Sequence, residues 1–315
     1  MGFVLGQRAD FKSVLELRGF YWHYGVSLGF GAIGSMNGER VSQHHIGEII
    51  APEFPVFKLL ELSDKKQIEK ITSQFQPYSD FNFASLWSWN LTNKIAISKF
   101  NENIVVNFTD YITNEEFYSF IGNKKVTETA KELMSFLFAR NLKPNLRLVP
   151  EVSVVDIDRN KINVIEDRDN FDYIYNVEEL SNLQGAKFSK KRNHVRAFLR
   201  NFSHATHKIL SLKDDNTVMS IFKFLGELNH NKKKNTITGN PHNEHLMTKL
   251  LEAGQELNLV VLGVFIDNKL VAMFVNEIIN SEYALGHLMA ADTSIDGGLY
   301  AFLMKKMRKL FLILN

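Results

Sequence analysis

Leu259-Val-Val-Leu-Gly-Val-Phe-Ile-Asp-Asn-Lys-Leu-Val-Ala-Met-Phe-Val-Asn-Glu-Ile-Ile-Asn-Ser-Glu-Tyr-Ala-Leu-Gly-His-Leu-Met-Ala290 holds three apolar runs separated by polar breaks. The runs Leu259 to Ile266, Leu270 to Ile279 and Tyr283 to Ala290 have the length and composition of β-strands. Asp267-Asn268 between the first two is a tight hairpin signal, so the segment predicts an antiparallel meander. Helical patterns near Ser189 to Phe202, Thr217 to Asn229 and Glu244 to Leu257 precede it, and another begins at about Leu299.

The same scheme stands upstream. Lys65 to Phe75 and Asn82 to Trp89 read as short helices, and Ile95 to Lys99 pairs with Ile104 to Phe108 across Asn101-Glu102-Asn103. Val126, Ala130, Leu133, Met134 and Leu137 mark one face of a helix, and Arg147-Leu-Val-Pro150 reads as a short strand. Two helices, an antiparallel meander and a further helix therefore occur twice. This predicts an α/β (α+β) chain with a tandem repeat of one fold, residues 51–165 and 166–315. Residues 1–50 differ: they hold nine of the 18 glycines, one lysine (Lys12) and three arginines. They show no sustained period and read as a disordered or non-native extension.

Composition excludes several classes of function. The 315 residues are 45% hydrophobic, enough for a real core. With 37 Lys+Arg against 35 Asp+Glu there is no global field toward nucleic acid or membrane, so any basic site is local. The absence of cysteine removes disulfides, thiolate metal sites and thiol nucleophiles. No apolar run approaches the roughly 20 residues of a membrane span, and the start lacks the pattern of a secretory signal, which together predict a cytoplasmic location.

Chemistry concentrates between Asp169 and Phe202. Asp169-Asn-Phe-Asp-Tyr-Ile-Tyr175 ends a strand-like segment with carboxylates and phenols. Ser189-Lys-Lys-Arg-Asn-His-Val-Arg-Ala-Phe-Leu-Arg-Asn-Phe202 follows, with Val195, Phe198, Leu199 and Phe202 as a buried stripe and Arg192, Arg196 and Arg200 as a second stripe. Lys190, Lys191 and Arg192 sit at the helix start, where cations oppose the dipole and a bound anion would explain them. Taken alone, this is more often a solvated face. Glu277 and His287 interrupt apolar strands, and buried polar groups need partners, so the two satisfy one another or face a cleft. Asp296-Gly-Gly-Leu-Tyr300 opens the last helix and offers Gly298, Tyr300 and backbone N–H groups to an anion. His242-Asn-Glu-His245 lacks a third ligand and reads as a surface turn, not a metal site. Lys232-Lys-Lys234 reads as a solvated loop.

Asp172-Tyr-Ile-Tyr175, Leu180, Gly185, Lys190-Lys-Arg-Asn193 and Phe198 together resemble the signature of the phosphatidylglycerol lysyltransferase C-terminal domain family. The likeness extends through Phe83-Ala-Ser-Leu-Trp-Ser-Trp89, Pro150-Glu151, Glu166 to Phe171 and Gly298-Leu-Tyr300. It implies two tandem GNAT-like acyltransferase folds and transfer of an acyl or aminoacyl group from aminoacyl-tRNA or acyl-coenzyme A to an amine or hydroxyl acceptor, with no permanently bound cofactor. By that analogy Asp172 or Glu277 recognises the α-amine of an aminoacyl group, with His287 beside them. Tyr173, Tyr175, Lys190, Lys191, Arg192, Asn193, Arg196, Gly298 and Tyr300 contact the substrate or its phosphates. The acceptor, whether small molecule, peptide or lipid head group, is left open. The full GNAT pyrophosphate loop is absent, which argues against coenzyme A.

The chain stops just after the helix that follows the third strand of the second unit, where such a fold continues. The expectation is an incomplete second unit with an exposed sheet edge that invites oligomerisation. Two further readings therefore stand beside the transferase: a non-catalytic module that binds RNA or another anion, and an inactive truncated relative.

Overall fold

The computed structural model describes residues 2–5, 51–232, 242–295 and 298–314. The predicted meander forms as expected: β8 (Leu259–Ile266), β9 (Lys269–Ile278) and β10 (Tyr283–Ala291) pair antiparallel. Asp267 and Asn268 take φ of 50° and 63°, which lets a two-residue turn follow the strand twist. Asn101 and Glu102, at 51° and 63°, do the same between β3 (Ala96–Phe100) and β4 (Asn103–Thr109).

Two mixed α/β layers result. The smaller sheet runs β2 (Lys58–Leu59), β3, β4 and β5 (Glu116–Ile121), all antiparallel. The larger runs β6 (Tyr173–Asn176), β1 (Gly2–Leu5), β10, β9, β8 and β7 (Thr206–Leu210). Helices α1 (Lys65–Thr72), α2 (Phe83–Ser88) and α3 (Val126–Ala139) belong to the first half, with α4 (Glu151–Val154) after them. The second half holds α5 (Val177–Asn182), α6 (Ser189–Asn201), α7 (Asp215–Lys232), α8 (Asn243–Glu252) and α9 (Gly298–Leu314).

Four expectations need correction. Residues 2–5 of the supposed extension form β1, parallel to β10 and antiparallel to β6, while the rest of residues 1–50 lies outside the described residues. The β10 edge expected to be exposed is thus paired, and the outer strands are β6 and β7. Arg147-Leu-Val-Pro150 is not a strand: Leu146 makes one bridge to Tyr118, and Leu148 at φ 57° breaks the extended run. Leu199 is 41% exposed, because α9 packs on the Val195 and Phe198 side of α6 instead. Lys232-Lys-Lys234 lies at the end of α7 and beyond it, where the side chains are outside the described residues.

The larger sheet has two covered faces. Val177, Leu180, Val195, Phe198, Phe302, Leu303 and Phe311 from α5, α6 and α9 cover one, against Phe274 and Ala284. The other face, with Val261, Met273, Val275 and Leu288, packs on α7 and α8. That second core continues without a break into Ile68, Phe83, Leu86, Ile97, Ile104 and Phe108 of the first half. Trp87 Nε1 of α2 donates to the Lys249 carbonyl of α8 at 2.8 Å, a direct tie between the halves. The segment Tyr78 to Trp89 therefore lies where both sheets meet.

Candidate functional site

Phe81, Phe83, Ala84 and Leu86 are all under 3% exposed, so burial of this apolar group holds the Tyr78 to Trp89 segment against the shared core. Asn82 caps α2 by accepting from the Ser85 N–H at 3.0 Å, which frees its amide Nδ2 to donate elsewhere. It donates to Glu277 Oε2 at 2.9 Å. His287 Nε2 lies 3.2 Å from the same oxygen, and His287 Nδ1 lies 3.5 Å from Ser85 Oγ. Glu277 and His287 are 4% and 3% exposed. The two contact one another, and Asn82 and Ser85 of the α2 segment complete the group.

A β-bulge lies at this point of the larger sheet. Gly286 pairs with Asn276 and Leu288 with Val275, which makes His287 the extra residue of β10. Both His287 and Leu288 then face the side occupied by Val275 and Glu277, where strict alternation would send one of them away.

Asp172, just before β6, reaches the same segment from another direction. Its oxygens accept from Ser79 N at 2.9 Å and Ser79 Oγ at 2.5 Å. Burial pushes its carboxyl above the ordinary value, and the two Ser79 donors pull it partly back. A carboxyl whose folded value is raised stabilises fully below its unfolded value of about 3.9, and that contribution is lost as pH rises through the folded value. Wild-type stability should therefore fall with rising pH across this weakly acidic window relative to Asp172→Asn. Urea midpoints of the two proteins over a pH series check this, and parallel curves would contradict it.

Ser79 and Ser85 line a cleft between α2 and the smaller sheet, whose walls include Trp89, Phe108, Tyr111 and Phe117. Trp89 and Tyr111 pack at 5.0 Å between centroids. The cavity is small, ≈ 70 Å³, below the several hundred Å³ usual for drug-sized ligands.

The other sequence-derived candidates lie across the larger sheet. Tyr173 and Tyr175 stack at 6.4 Å and pack with Tyr300 against the α5–α6–α9 core. Gly298 serves packing: a Cβ there would stand 2.2 Å from the His194 carbonyl oxygen and 2.5 Å from Phe198 Cβ, so only glycine lets α9 meet α6 so closely. Arg192 Nη1 donates to the carbonyls of Leu183 and Gly185 at 2.5 and 2.6 Å, closing the end of α5 instead of standing ready for phosphate. Lys190, Asn193 and Arg196 are exposed on α6. Burial, then Arg308 and Lys190, lower the Lys191 ammonium. Arg308 of α9 is 5% exposed and lies over the Tyr175 ring at 5.5 Å, a buried cation that the sequence reading missed. Ser79, Asn82 and Ser85 were also missed as polar partners, although the run Phe83 to Trp89 was marked. Among the described residues no cluster of metal-ligating side chains occurs, and no helix is long and apolar enough to cross a membrane.

Among solved structures, a conserved protein of unknown function from Bacteroides thetaiotaomicron has a TM-score of 0.65 at 21% identity, covering 81% of this chain and 86% of its own, a likeness of fold. The C-terminal domain of a protein described as a lysylphosphatidylglycerol synthetase from Agrobacterium fabrum gives 0.47 at 10% identity, over 81% and 75%. No curated protein matches. The sequence profile described as phosphatidylglycerol lysyltransferase, C-terminal, matches residues 72–312, and the chain therefore belongs to that family.

Proposed function

We propose that the chain is an aminoacyl- or acyltransferase of tandem GNAT-like build, moving an acyl group from aminoacyl-tRNA or acyl-coenzyme A to an amine or hydroxyl. The observation that carries this reading is family membership over residues 72–312. The cleft at Ser79 and Ser85 supports it: transfer from an activated ester needs alignment and carbonyl polarisation more than new covalent chemistry. The aromatic wall takes the acyl side chain, and Asp172, hydrogen-bonded to Ser79 at the cleft, is assigned to the α-ammonium. Lys190, Lys191 and Arg196 of α6 lie on the opposite face of the larger sheet and are assigned to the polyanionic part of a donor.

Incubation with charged tRNA and, separately, with acyl-coenzyme A, followed by mass measurement of candidate acceptors, tests the reading. Transfer from one donor is the expected result; failure of both donors to bind would sink it. A second reading, an anion-binding module without catalysis, is favoured by the cations gathered on α6 and α9. Burial lowers the Lys305 and Lys306 ammoniums, and the neighbouring cations Lys309 and Arg196, or Lys309 and Lys305, lower them further. Filter binding of uncharged tRNA over a salt series separates the two. A steep salt slope without transfer favours the module.

A further inference from the structure

We propose that Ser85, His287 and Glu277 form a nucleophilic relay, and that Ser85 becomes acylated by ester or thioester substrates carrying a short acyl group. The inference does not rest on which donor the transferase reading assigns. Four observations carry it. The three side chains are in series, Ser85 Oγ to His287 Nδ1 at 3.5 Å and His287 Nε2 to Glu277 Oε2 at 3.2 Å. The same Oε2 accepts from Asn82 Nδ2, and toward a carboxylate, which only accepts, His287 Nε2 is the donor. A neutral imidazole protonated at Nε2 presents a lone pair at Nδ1, directed at the Ser85 hydroxyl. Finally, Ser85 lines the cleft while His287 and Glu277 lie behind it at 3% and 4% exposure, the order a nucleophile, its base and an orienting carboxylate require.

Ser79 provides the contrast within the same cleft. Its hydroxyl donates directly to Asp172, with no imidazole between them.

The step balances as follows. Ser85 Oγ attacks the substrate carbonyl carbon and forms a new C–O bond while its proton passes to His287 Nδ1. The tetrahedral intermediate collapses, the bond to the alcohol or thiol breaks, and His287 returns the proton to that leaving group. Water or an acceptor hydroxyl or amine then attacks the acyl-serine, its proton moves to Nδ1, and Ser85 leaves with that proton. Glu277 holds the ring and stabilises the imidazolium in both halves without taking the proton. With water as acceptor the net reaction is ester hydrolysis.

The intact chain should therefore form a covalent adduct with a fluorophosphonate probe, mapped by peptide mass to Ser85, and hydrolyse p-nitrophenyl acetate. Ser85→Ala and His287→Asn should each lower hydrolysis by about 100-fold or more, and Glu277→Gln by about 10-fold or more. Ser220→Ala on the exposed face of α7 should leave both signals unchanged. Ser85→Cys covers the case in which these variants fold poorly. The chain has no other cysteine, so the alkylation rate by iodoacetamide reports one thiol. That rate should exceed the rate of the urea-unfolded chain by about 10-fold, and the excess should vanish with His287→Asn. An adduct on another serine, or a Ser85→Cys thiol no faster than in the unfolded chain, overturns the proposal. Because neither readout uses tRNA or coenzyme A, failure of both donors with Ser85 labelled would remove the transferase reading and leave this one standing.

Discussion

Exchange of Glu277 for leucine is expected to cost about 3 to 5 kcal/mol of folding free energy, because it strands the buried His287 donor and the half-buried Asn82 donor at once. Asn82 Nδ2 and His287 Nε2 both point at Glu277 Oε2, and His287 is 3% exposed, so water cannot replace the lost acceptor without opening the core. The loss also loosens the α2 cap, since Asn82 spends its Oδ1 on Ser85 N and its Nδ2 on Glu277. Glu277→Gln keeps an acceptor of the same shape and should remain within about 1.5 kcal/mol of wild type. Urea unfolding followed by circular dichroism separates the outcomes. A leucine variant as stable as wild type would mean that the network carries no structural load. Glutamine should preserve the fold and lower acylation at Ser85, dividing stability from chemistry at one residue.

Gly298→Ala is the second change with a large expected effect. The added methyl would stand 2.2 Å from the His194 carbonyl oxygen, a backbone atom that moves only if α6 moves. Overpacking of this kind typically costs about 1 to 3 kcal/mol, and here it would separate Phe198 from Phe302, whose rings lie 4.9 Å apart. Gly226, inside α7 with nothing within 4 Å of an added Cβ, is the control. There alanine should stabilise by about 0.4 to 1 kcal/mol, by removing unfolded-state freedom at a helical position. Thermal unfolding of both variants should move in opposite directions. A neutral Gly298→Ala would refute the packing role and return Gly298 to the list of ligand-facing candidates.

Much of the layout was legible because it depends on local period and turn chemistry. Asn82 to Trp89 reads as a helix and forms one, with Asn82 as its cap. The runs Leu259 to Ile266 and Tyr283 to Ala290 become strands within one residue of their read bounds. Strand β7 was not legible: Thr206 to Ile209 are exposed and only Leu210 is buried, so no apolar alternation marks it. Nor was the fate of Arg192. A basic stripe on a helix looks the same whether its guanidinium meets phosphate or the carbonyls of Leu183 and Gly185.

The site shows the same division. Glu277 and His287 stand out in sequence because each interrupts an apolar strand, which marks burial with a partner but not which partner. That choice joins residues far apart in the chain: Asn82 to Glu277 across 195 positions, Ser85 to His287 across 202 and Ser79 to Asp172 across 93. By itself, then, the sequence determined most of the helices, the β8–β9–β10 meander and the signature of the family. Only the tertiary structure decided that His287 and Glu277 meet Ser85 and Asn82, that β1 fills the place beside β10, and that the basic helix lies across the sheet from the cleft. Periodicity records which face of an element is buried. Register, bulges and the meeting of distant surfaces are set by packing and hydrogen-bond satisfaction over the whole fold, and they leave little trace in neighbouring residues.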